Sequence, residues 1–521
     1  MAWSQLGKDI DGEDGGDYSG WATSLSADGS VIAIGGYRNN GNGAASGHVR
    51  IFKFSNGKWN QIGSDIDGES PNGYGYSVSL SSDGTVVAIG TPIPNGFTGR
   101  VRVYQNINSN WVQIGNDIEG QTKGDYQGVE ISLSGDGSFL AIGSNFSSGT
   151  SENGQFLEEN GHVSVFQKIN NDWVQIGANI EGEQSDDHSG QWLSLSSNGS
   201  VLAIGSGSNI GKGNNGEDGG HVRIYRRGNN KWNQIGEDID GEPGEFISRC
   251  SLSSDGSVVA IGGTGGNGVV RVLKNVGDSW IQVGESIKGL VEDDFFAFSL
   301  SLSSDGNFLA ISDPGKNSVF PISEKKGYVR IFQNINNNWI QIGEDIQGES
   351  FDDASGWTVN LSSDGGIVSI GSFLNDGNGI NSGHVRIFKF TPEEIFGTSG
   401  SDSLIGTSSS DLITGLEGDD TIDGGLGSDT SVYSGKFSDY SFTREINSLK
   451  ITDQRTDNNY GTDTLSNIEY LQFSDITVSL EDVQGESQLK MVSGQKEKLT
   501  IIRDYDGNLH GFLDNAPAEV I

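Results

Sequence analysis

The sequence predicts an all-β chain: a seven-bladed β-propeller over residues 1–390, followed by a tail of nine-residue repeats. Three observations predict it. The pattern Trp-x-Gln-aliphatic-Gly recurs seven times, at Trp3, Trp59, Trp111, Trp173, Trp232, Trp280 and Trp339. In step with it come an Asp-Gly turn running into an apolar strand (Ser82 to Gly90) and a Gly-His-Val-Arg-Ile-Phe element (Gly47 to Phe52, Gly383 to Phe388). After Pro392 the period changes to nine.

Each repeat reads as four strands. Strand a is an alternating run such as Tyr76 to Leu80, and Asp-Gly is a hairpin turn leading into strand b. Strand c is Val-Arg-Ile-Phe, and strand d carries the tryptophan. Four-stranded units at a period of 48 to 62 residues are the signature of propeller blades. The chain opens on a lone strand d (Trp3) and ends the series on a, b and c (Thr358 to Phe388), so the Trp3 strand is expected at the outer edge of the last blade. The step from the strand-c arginine to the next tryptophan is always nine residues, which fixes the c–d hairpin. The b–c connections, 36–46, 91–98, 144–160, 206–219, 263–267, 313–326 and 372–382, vary in length. In a propeller the b–c and d–a loops share one face, and variable loops on a rigid scaffold are where binding sits.

Composition narrows the function. Eighty glycines supply the positive-φ turns of a strand-dense chain. A formal charge of −38 argues against nucleic acid and suits divalent cations. Cys250 is the single cysteine, so no intramolecular disulfide forms. No stretch reaches the ~18–20 apolar residues of a membrane helix. The N-terminus enters the first repeat at Trp3, so no cleavable leader is expected and an export signal should lie elsewhere.

An aspartate follows the strand-c arginine by fifteen residues in Arg50/Asp65, Arg102/Asp117, Arg223/Asp238 and Arg330/Asp345, and across the closure in Arg386/Asp9. The hairpin register makes these diagonal neighbours, so five structural ion pairs are expected. In the third unit both members change together, to Ser164 and Asn179; in the fifth, Arg271 meets Ser286. His48, His162, His221 and His384 occupy one strand-c position that elsewhere holds Arg100, Val269 or Tyr328. That exchange reads as a structural role, since chemistry would need converging side chains. Asp9-Ile-Asp11-Gly-Glu13 and Asp65-Ile-Asp67-Gly-Glu69 lead into d–a loops and read as polar turns; the sixth counterpart is Ser286-Ile-Lys288-Gly-Leu290. Together they make the variable face acidic, which suits a polar ligand bridged by cations.

Tyr74-Gly75-Tyr76-Ser77-Val78, Ala88-Ile89-Gly90 and the Gly-x-Val-Arg-aliphatic-aromatic strand c resemble the FG-GAP repeat of integrin α-subunits and bacterial surface proteins. The integrin-type repeat carries an aspartate-rich calcium loop between strands a and b. Here that loop has shrunk to Ser-Ser-Asp-Gly, too few oxygens for Ca²⁺, so calcium is not expected there.

The nines read Gly397 to Ile405, Gly406 to Thr414, Gly415 to Asp423 and Gly424 to Val432. They resemble the glycine-rich nonapeptide of RTX, or hemolysin-type, calcium-binding proteins. The resemblance implies a parallel β-roll over 397–432, with Ca²⁺ held by the aspartates Asp402, Asp411, Asp420 and Asp429 and by turn glycines Gly400, Gly418 and Gly427. A coil would take two nonapeptides, placing Asp402 with Asp420 and Asp411 with Asp429. Thr407 and Ser409 depart from the usual glycines, and Ser431 from the usual aliphatic residue. The segment has seven acidic side chains and no basic one, so it should repel itself without a cation.

Residues 433–482, with Ser438-Asp439-Tyr440 and Gly461 to Asp475, resemble the module that caps such rolls; 483–521 would be a C-terminal tail and candidate secretion signal. The resemblance implies a substrate of the type I secretion machinery that folds on meeting calcium outside the cell. The function expected is therefore a secreted or surface-held calcium-binding protein whose propeller recognises a glycan or a surface protein in adhesion. The alternative is a propeller hydrolase acting on phosphate esters or polysaccharide. That would need groups such as Arg38, Lys212, Glu158, Glu159 and Asp376 to converge.

Overall fold

The computed structural model describes residues 2–521 apart from 70–72, 93–97, 151–153, 208–218, 230, 291–294, 316–325, 336, 408–409, 426, 446–447, 457–459, 481–482, 484–487, 493–494, 504–508 and 514–521. Two units form, a propeller and a C-terminal unit from Thr391 onward.

The propeller has seven antiparallel sheets. In the first, strand a is Ser19–Leu25, b is Val31–Gly36 and c is His48–Ser55. Strand d is split. Lys58–Gln61 pairs with the far half of c, and Ile66–Asp67 returns to pair with His48 and Val49. Gly63, at φ +75°, turns the chain between the two halves. The seventh sheet joins Thr358–Leu361, Ile367–Ser372 and His384–Thr391 to the N-terminal Ala2–Gln5, with Ile10 opposite Val385. The last blade is therefore closed by the first strand.

Apolar side chains of one blade bury against the next rather than within a blade. Val31, Ala33, Val49 and Ile51 face Val78, Leu80, Val87 and Ile89. Ile32 and Ile34 complete the circle against Val385 and Ile387. Around the axis, one backbone N–H of each a–b turn donates to the carbonyl of the next. The circuit runs Ala27→Ser82, Ser82→Gly135, Gly135→Ser197, Ser197→Ser254, Ser254→Ser304, Ser304→Ser363 and back through Ser363→Ala27, at 2.7–3.0 Å.

The Trp-Gly motif is another inter-blade device. The Trp59 indole donates to Leu6 O (2.7 Å), Trp111 to Ile62 O (2.8 Å) and Trp280 to Ile235 O (3.0 Å). The following glycine leaves room for the next blade's ring: a β-carbon on Gly7 would stand 2.9 Å from Trp59 Cδ1.

The expected arginine pairs divide into two groups. Two form as direct bonds. Arg102 Nε and Nη2 bond Asp117 at 2.8–3.0 Å, and Arg330 bonds Asp345 at 2.9 and 3.1 Å. The other three, Arg50 with Asp65, Arg223 with Asp238 and Arg386 with Asp9, are corrected by the structure. Arg50, Arg223 and Arg386 reach into the preceding blade instead, donating to Asp11 O (2.6 Å), Glu181 O (3.0 Å) and Gln347 O (2.8 Å). Arg271 does the same to Asp240 O (2.6 Å).

The reason is local. In all three corrected blades strand c carries a histidine two residues before the arginine, His48, His221 or His384. Asp65 and Asp9 lie beside that imidazole, at 3.6 and 3.7 Å, and the arginine bonds a carbonyl across the gap. Asp238 follows the same pattern on its other side: it accepts from Gln234 Nε2 (2.7 Å), as Asp65 accepts from Gln61 and Asp9 from Gln5. The nearest carboxylate to the Arg223 guanidinium is Glu183 of the preceding blade, with Nη1 3.8 Å from Oε1.

In the C-terminal unit Glu393–Phe396, Asp411–Thr414, Thr430–Val432 and Tyr470–Gln472 stack in parallel on one side. Ser403–Ile405, Thr421–Asp423 and Thr462–Ser466 stack on the other. A coil thus takes two nonapeptides. Leu449–Asp453 and Tyr440–Arg444 extend the second sheet antiparallel. Ile413, Ile422, Leu465 and Leu471 form the thin core, continued by Tyr433, Phe437, Tyr440 and Phe473. Gln488–Val492, Gln495–Arg503 and Leu509–Leu513 make a three-stranded antiparallel sheet; residues 504–508 lie outside the described residues. Among the described residues no helix is long and apolar enough to cross a membrane.

Gly63→Ala is expected to destabilise the propeller by about 2 kcal/mol more than Gly57→Ala. Both glycines hold φ +75°, but a β-carbon at Gly63 would stand 2.8 Å from Ser109 O and 3.0 Å from Trp111 Cδ1, whereas nothing lies within 4 Å at Gly57. Denaturation followed by tryptophan fluorescence checks this, since all ten tryptophans fall in the propeller.

Candidate metal centre and axial cavity

The nonapeptide places its sixth residue at, or one residue before, the start of each short strand. Stacking two repeats apart then makes rows of carboxylates. In one row the Asp402 N–H donates to Asp420 Oδ1 (2.8 Å) and the Asp420 N–H to Asp463 Oδ1 (3.1 Å). In the other, the Asp411 N–H donates to Asp429 Oδ1 (2.7 Å) and the Asp429 N–H to Glu469 Oε2 (2.7 Å). The predicted partners, Asp402 with Asp420 and Asp411 with Asp429, are thus brought together.

One oxygen of each carboxylate orders the row, and the other faces the turn. Asp420 Oδ2 and Asp429 Oδ2 are buried and take no hydrogen bond. The leading glycine makes room for that oxygen: a β-carbon would stand 2.2 Å from Asp420 Oδ2 at Gly415 and 2.7 Å from Asp429 Oδ2 at Gly424. Gly418 and Gly427 hold φ +124° and +139°, and Gly418 lies so close to Gly400 that a β-carbon would fall 2.6 Å from its carbonyl carbon. Thr407 N–H donates to Asp411 Oδ2 (2.6 Å), while Ser409 lies outside the described residues.

Burial works against ionisation at four members of the rows. Burial, then the charges of Glu469, Asp411 and Asp423, push Asp429 up to about 8. Burial and the Asp420 charge push Asp463 up to about 7, and burial also raises Asp420 and Glu469. Buried, unpartnered carboxylate oxygens in an all-oxygen setting fit a hard divalent cation such as Ca²⁺.

Residues 396–430 match the RTX calcium-binding nonapeptide repeat, in four copies. The tail is therefore a calcium-binding RTX segment on an all-β chain whose other unit is a seven-bladed propeller. No curated protein sequence matches the chain. Among solved structures, hydrazine synthase of Kuenenia stuttgartiensis is 11% identical with a TM-score of 0.46, covering 73% of this chain and 97% of its own. The Cps50 (Swd1) β-propeller domain of Myceliophteria thermophila is 10% identical with a TM-score of 0.47, covering 74% and 99%. Both likenesses are too slight to carry an argument.

Sequence reasoning quoted Asp463 and Glu469 as part of the cap and missed them as row members. The signal was present: acid-x-aliphatic recurs in Asp411-Leu-Ile413, Asp420-Thr-Ile422, Asp463-Thr-Leu465 and Glu469-Tyr-Leu471.

In the propeller, the openings of strand a line an axial cavity of about 380 Å³ at the end carrying the b–c and d–a loops. Trp21, Trp357, Phe298 and Tyr76 form an aromatic arc, with Trp21 and Trp357 centroids 4.9 Å apart and Trp357 and Phe298 4.6 Å apart. Opposite stand Glu130, Gln191, Trp192 and Arg249. The Arg249 guanidinium lies 3.9 Å from the Trp192 ring centroid, and its Nε donates to Phe298 O (2.8 Å). Burial drives Glu130 up to about 8 against the pull of Arg249, and drives Arg249 down to about 9.

Three of the loop residues weighed for catalysis have side chains engaged locally. Arg38 covers Tyr18 and Tyr37, Glu159 lies 3.4 Å from His188, and Asp376 accepts from the Asn381 N–H; Glu158 donates its backbone N–H to Ser185, and Lys212 lies outside the described residues.

Folded carboxyls with raised pKa values favour the protonated roll, so the metal-free roll should lose stability as pH rises from about 4 through about 8. Hydrogen exchange over 397–480 in the full chain is expected to show protection falling across that window without calcium and restored with it, calcium affinity rising as protons cease to compete. Asp463→Asn and Glu469→Gln should each weaken calcium about tenfold.

Proposed function

We propose that this is a secreted calcium-binding protein whose propeller captures a glycan in the axial cavity, with the RTX tail as its export and folding device. The aromatic arc carries the reading: Trp21, Trp357, Phe298 and Tyr76 offer apolar faces for sugar rings, while Gln191, Asn360, Glu130 and Arg249 supply hydrogen-bonding groups for hydroxyls. The variable b–c loops surround that end, and the FG-GAP likeness of the repeats agrees with a surface-adhesion role. RTX repeats go with type I secretion, and a carboxylate-rich roll that needs calcium to fold would stay open where calcium is scarce.

A hydrolase is the weaker reading. Among the described residues lining the cavity Glu130 is the one carboxylate, whereas glycoside hydrolysis pairs two.

The test is titration of the full, calcium-loaded chain with polysaccharide fragments, read by tryptophan fluorescence. Trp21→Ala and Trp357→Ala should each weaken binding at least tenfold and leave calcium binding unchanged. Glu130→Gln should bind, and no reducing ends should appear with the wild type. Saccharide binding unaffected by either tryptophan variant would remove the cavity from the proposal, and release of reducing ends lost in Glu130→Gln would replace the binder with an enzyme.

A further inference from the structure

The strand-c histidines acquire partners that no single repeat contains. Between the last and first blades, Glu13 from one blade faces His48 and Asp65 of the next; between the sixth and seventh, Glu349 faces His384 and Asp9. His48 is 1% exposed, and neither ring nitrogen makes a hydrogen bond. Its Nδ1 lies 3.6 Å from Asp65 Oδ2 and 3.7 Å from Glu13 Oε2, too far to bond either directly. His384 Nδ1 stands 3.7 Å from Asp9 Oδ2 and 4.0 Å from Glu349 Oε2.

In each site the aspartate is held from behind and the glutamate is flanked by an arginine. Gln61 and Gln5, the glutamines of the Trp-x-Gln motif, donate to Oδ1 of Asp65 and Asp9 at 2.5 Å, leaving Oδ2 toward the imidazole. Arg50 and Arg386 lie 3.9 and 3.8 Å from Oε1 of Glu13 and Glu349, leaving Oε2 toward it. Outer partners that fix one oxygen and present the other are the usual support of a metal ligand.

Four of the other blades show what this seat requires. In the second, Arg100 replaces the histidine, and its Nη1 stands 3.5 Å from Glu69 Oε2 and 3.3 Å from Asp117 Oδ2: the chain supplies its own cation between the same two carboxylates. In the third, both carboxylates become amides, Gln121 and Asn179, and His162 is bonded at Nδ1 to Ser147 Oγ (2.6 Å). The exchange to Val269 or Tyr328 that argued for a structural histidine comes with loss of a carboxylate too, at Ser286 and Leu290.

We propose that Glu13, His48 and Asp65, and likewise Asp9, Glu349 and His384, are divalent transition-metal sites of the zinc class that clamp the ring closure. One imidazole and two carboxylates form a mixed nitrogen–oxygen set suited to Zn²⁺ rather than Ca²⁺, and a fourth position is left for water. Ligand atoms on an ion bonded at about 2.0–2.2 Å lie roughly 3.3–3.6 Å apart, close to the spacing around His48. Glu13 and Asp65 are 45% and 26% exposed, which gives the ion a path from solvent. Asp9 and Glu13 both belong to the N-terminal segment that completes the last blade, so each ion ties that segment to a neighbour.

The experiment is Zn²⁺ titration of the full chain by calorimetry, with excess Ca²⁺ saturating the roll. His48→Ala and His384→Ala are each expected to remove one zinc equivalent, while His162→Ala removes none. An unchanged stoichiometry in both His48 and His384 variants overturns the proposal. Because truncating a buried histidine can unfold a blade, Glu13→Gln and Glu349→Gln, both at half-exposed positions, repeat the test. They should weaken zinc at least tenfold and abolish the zinc-dependent rise in Tm while leaving the metal-free Tm unchanged. Zinc affinity equal to wild type in these variants also overturns it.

Discussion

Every blade buries its apolar face against the next blade, so no repeat is stable until the circle is complete. The constraint explains why so many of the repeated residues act across a gap. The a–b turns pass one hydrogen bond around the axis, five tryptophan indoles reach the previous blade's carbonyl, and four strand-c arginines do the same. An open arc would leave one blade with its core exposed and would exchange its inter-blade hydrogen bonds for bonds to water, a net loss of about 0.5–1.5 kcal/mol each.

The two units meet the same electrostatic difficulty in different ways. With a net charge of −38, carboxylates must crowd somewhere. Around the ring the crowding is relieved from within, by Arg102, Arg100 and Arg330. The segment 397–432 has no basic residue at all, so its stacked aspartates depend on protons or an added ion. Its fold is therefore conditional on the medium, whereas the propeller carries 24 basic residues among its 46 acidic ones and places some of them at its crowded carboxylates.

The blade count, the closure by the Trp3 strand and the two-repeat coil were legible because each is a matter of period and order along the chain. The Asp402–Asp420 and Asp411–Asp429 stacking followed from the same arithmetic. The arginine contacts were not legible from one repeat. Whether Arg50 meets Asp65, or Arg223 meets Asp238, depends on a histidine two residues earlier and on a carbonyl, Asp11 O or Glu181 O, in another blade. Asp463 and Glu469 escaped because the interval after Asp429 breaks the nines, although the acid-x-aliphatic pattern persists. The cavity was half legible. The residue four before the strand-a leucine is aromatic in four repeats, Trp21, Tyr76, Phe298 and Trp357, but only the ring brings Glu130 and Arg249 opposite them.

The N-terminal strand pairs with a partner some 385 residues away in the chain. It leaves the ribosome long before that partner exists. During synthesis Ala2–Gln5 must wait, unpaired, until His384–Thr391 has been made. The propeller is thus finished at a seam rather than built outward from one end. An interrupted chain ending in any earlier blade yields an arc with two open edges, so completeness of translation is itself a condition of the fold.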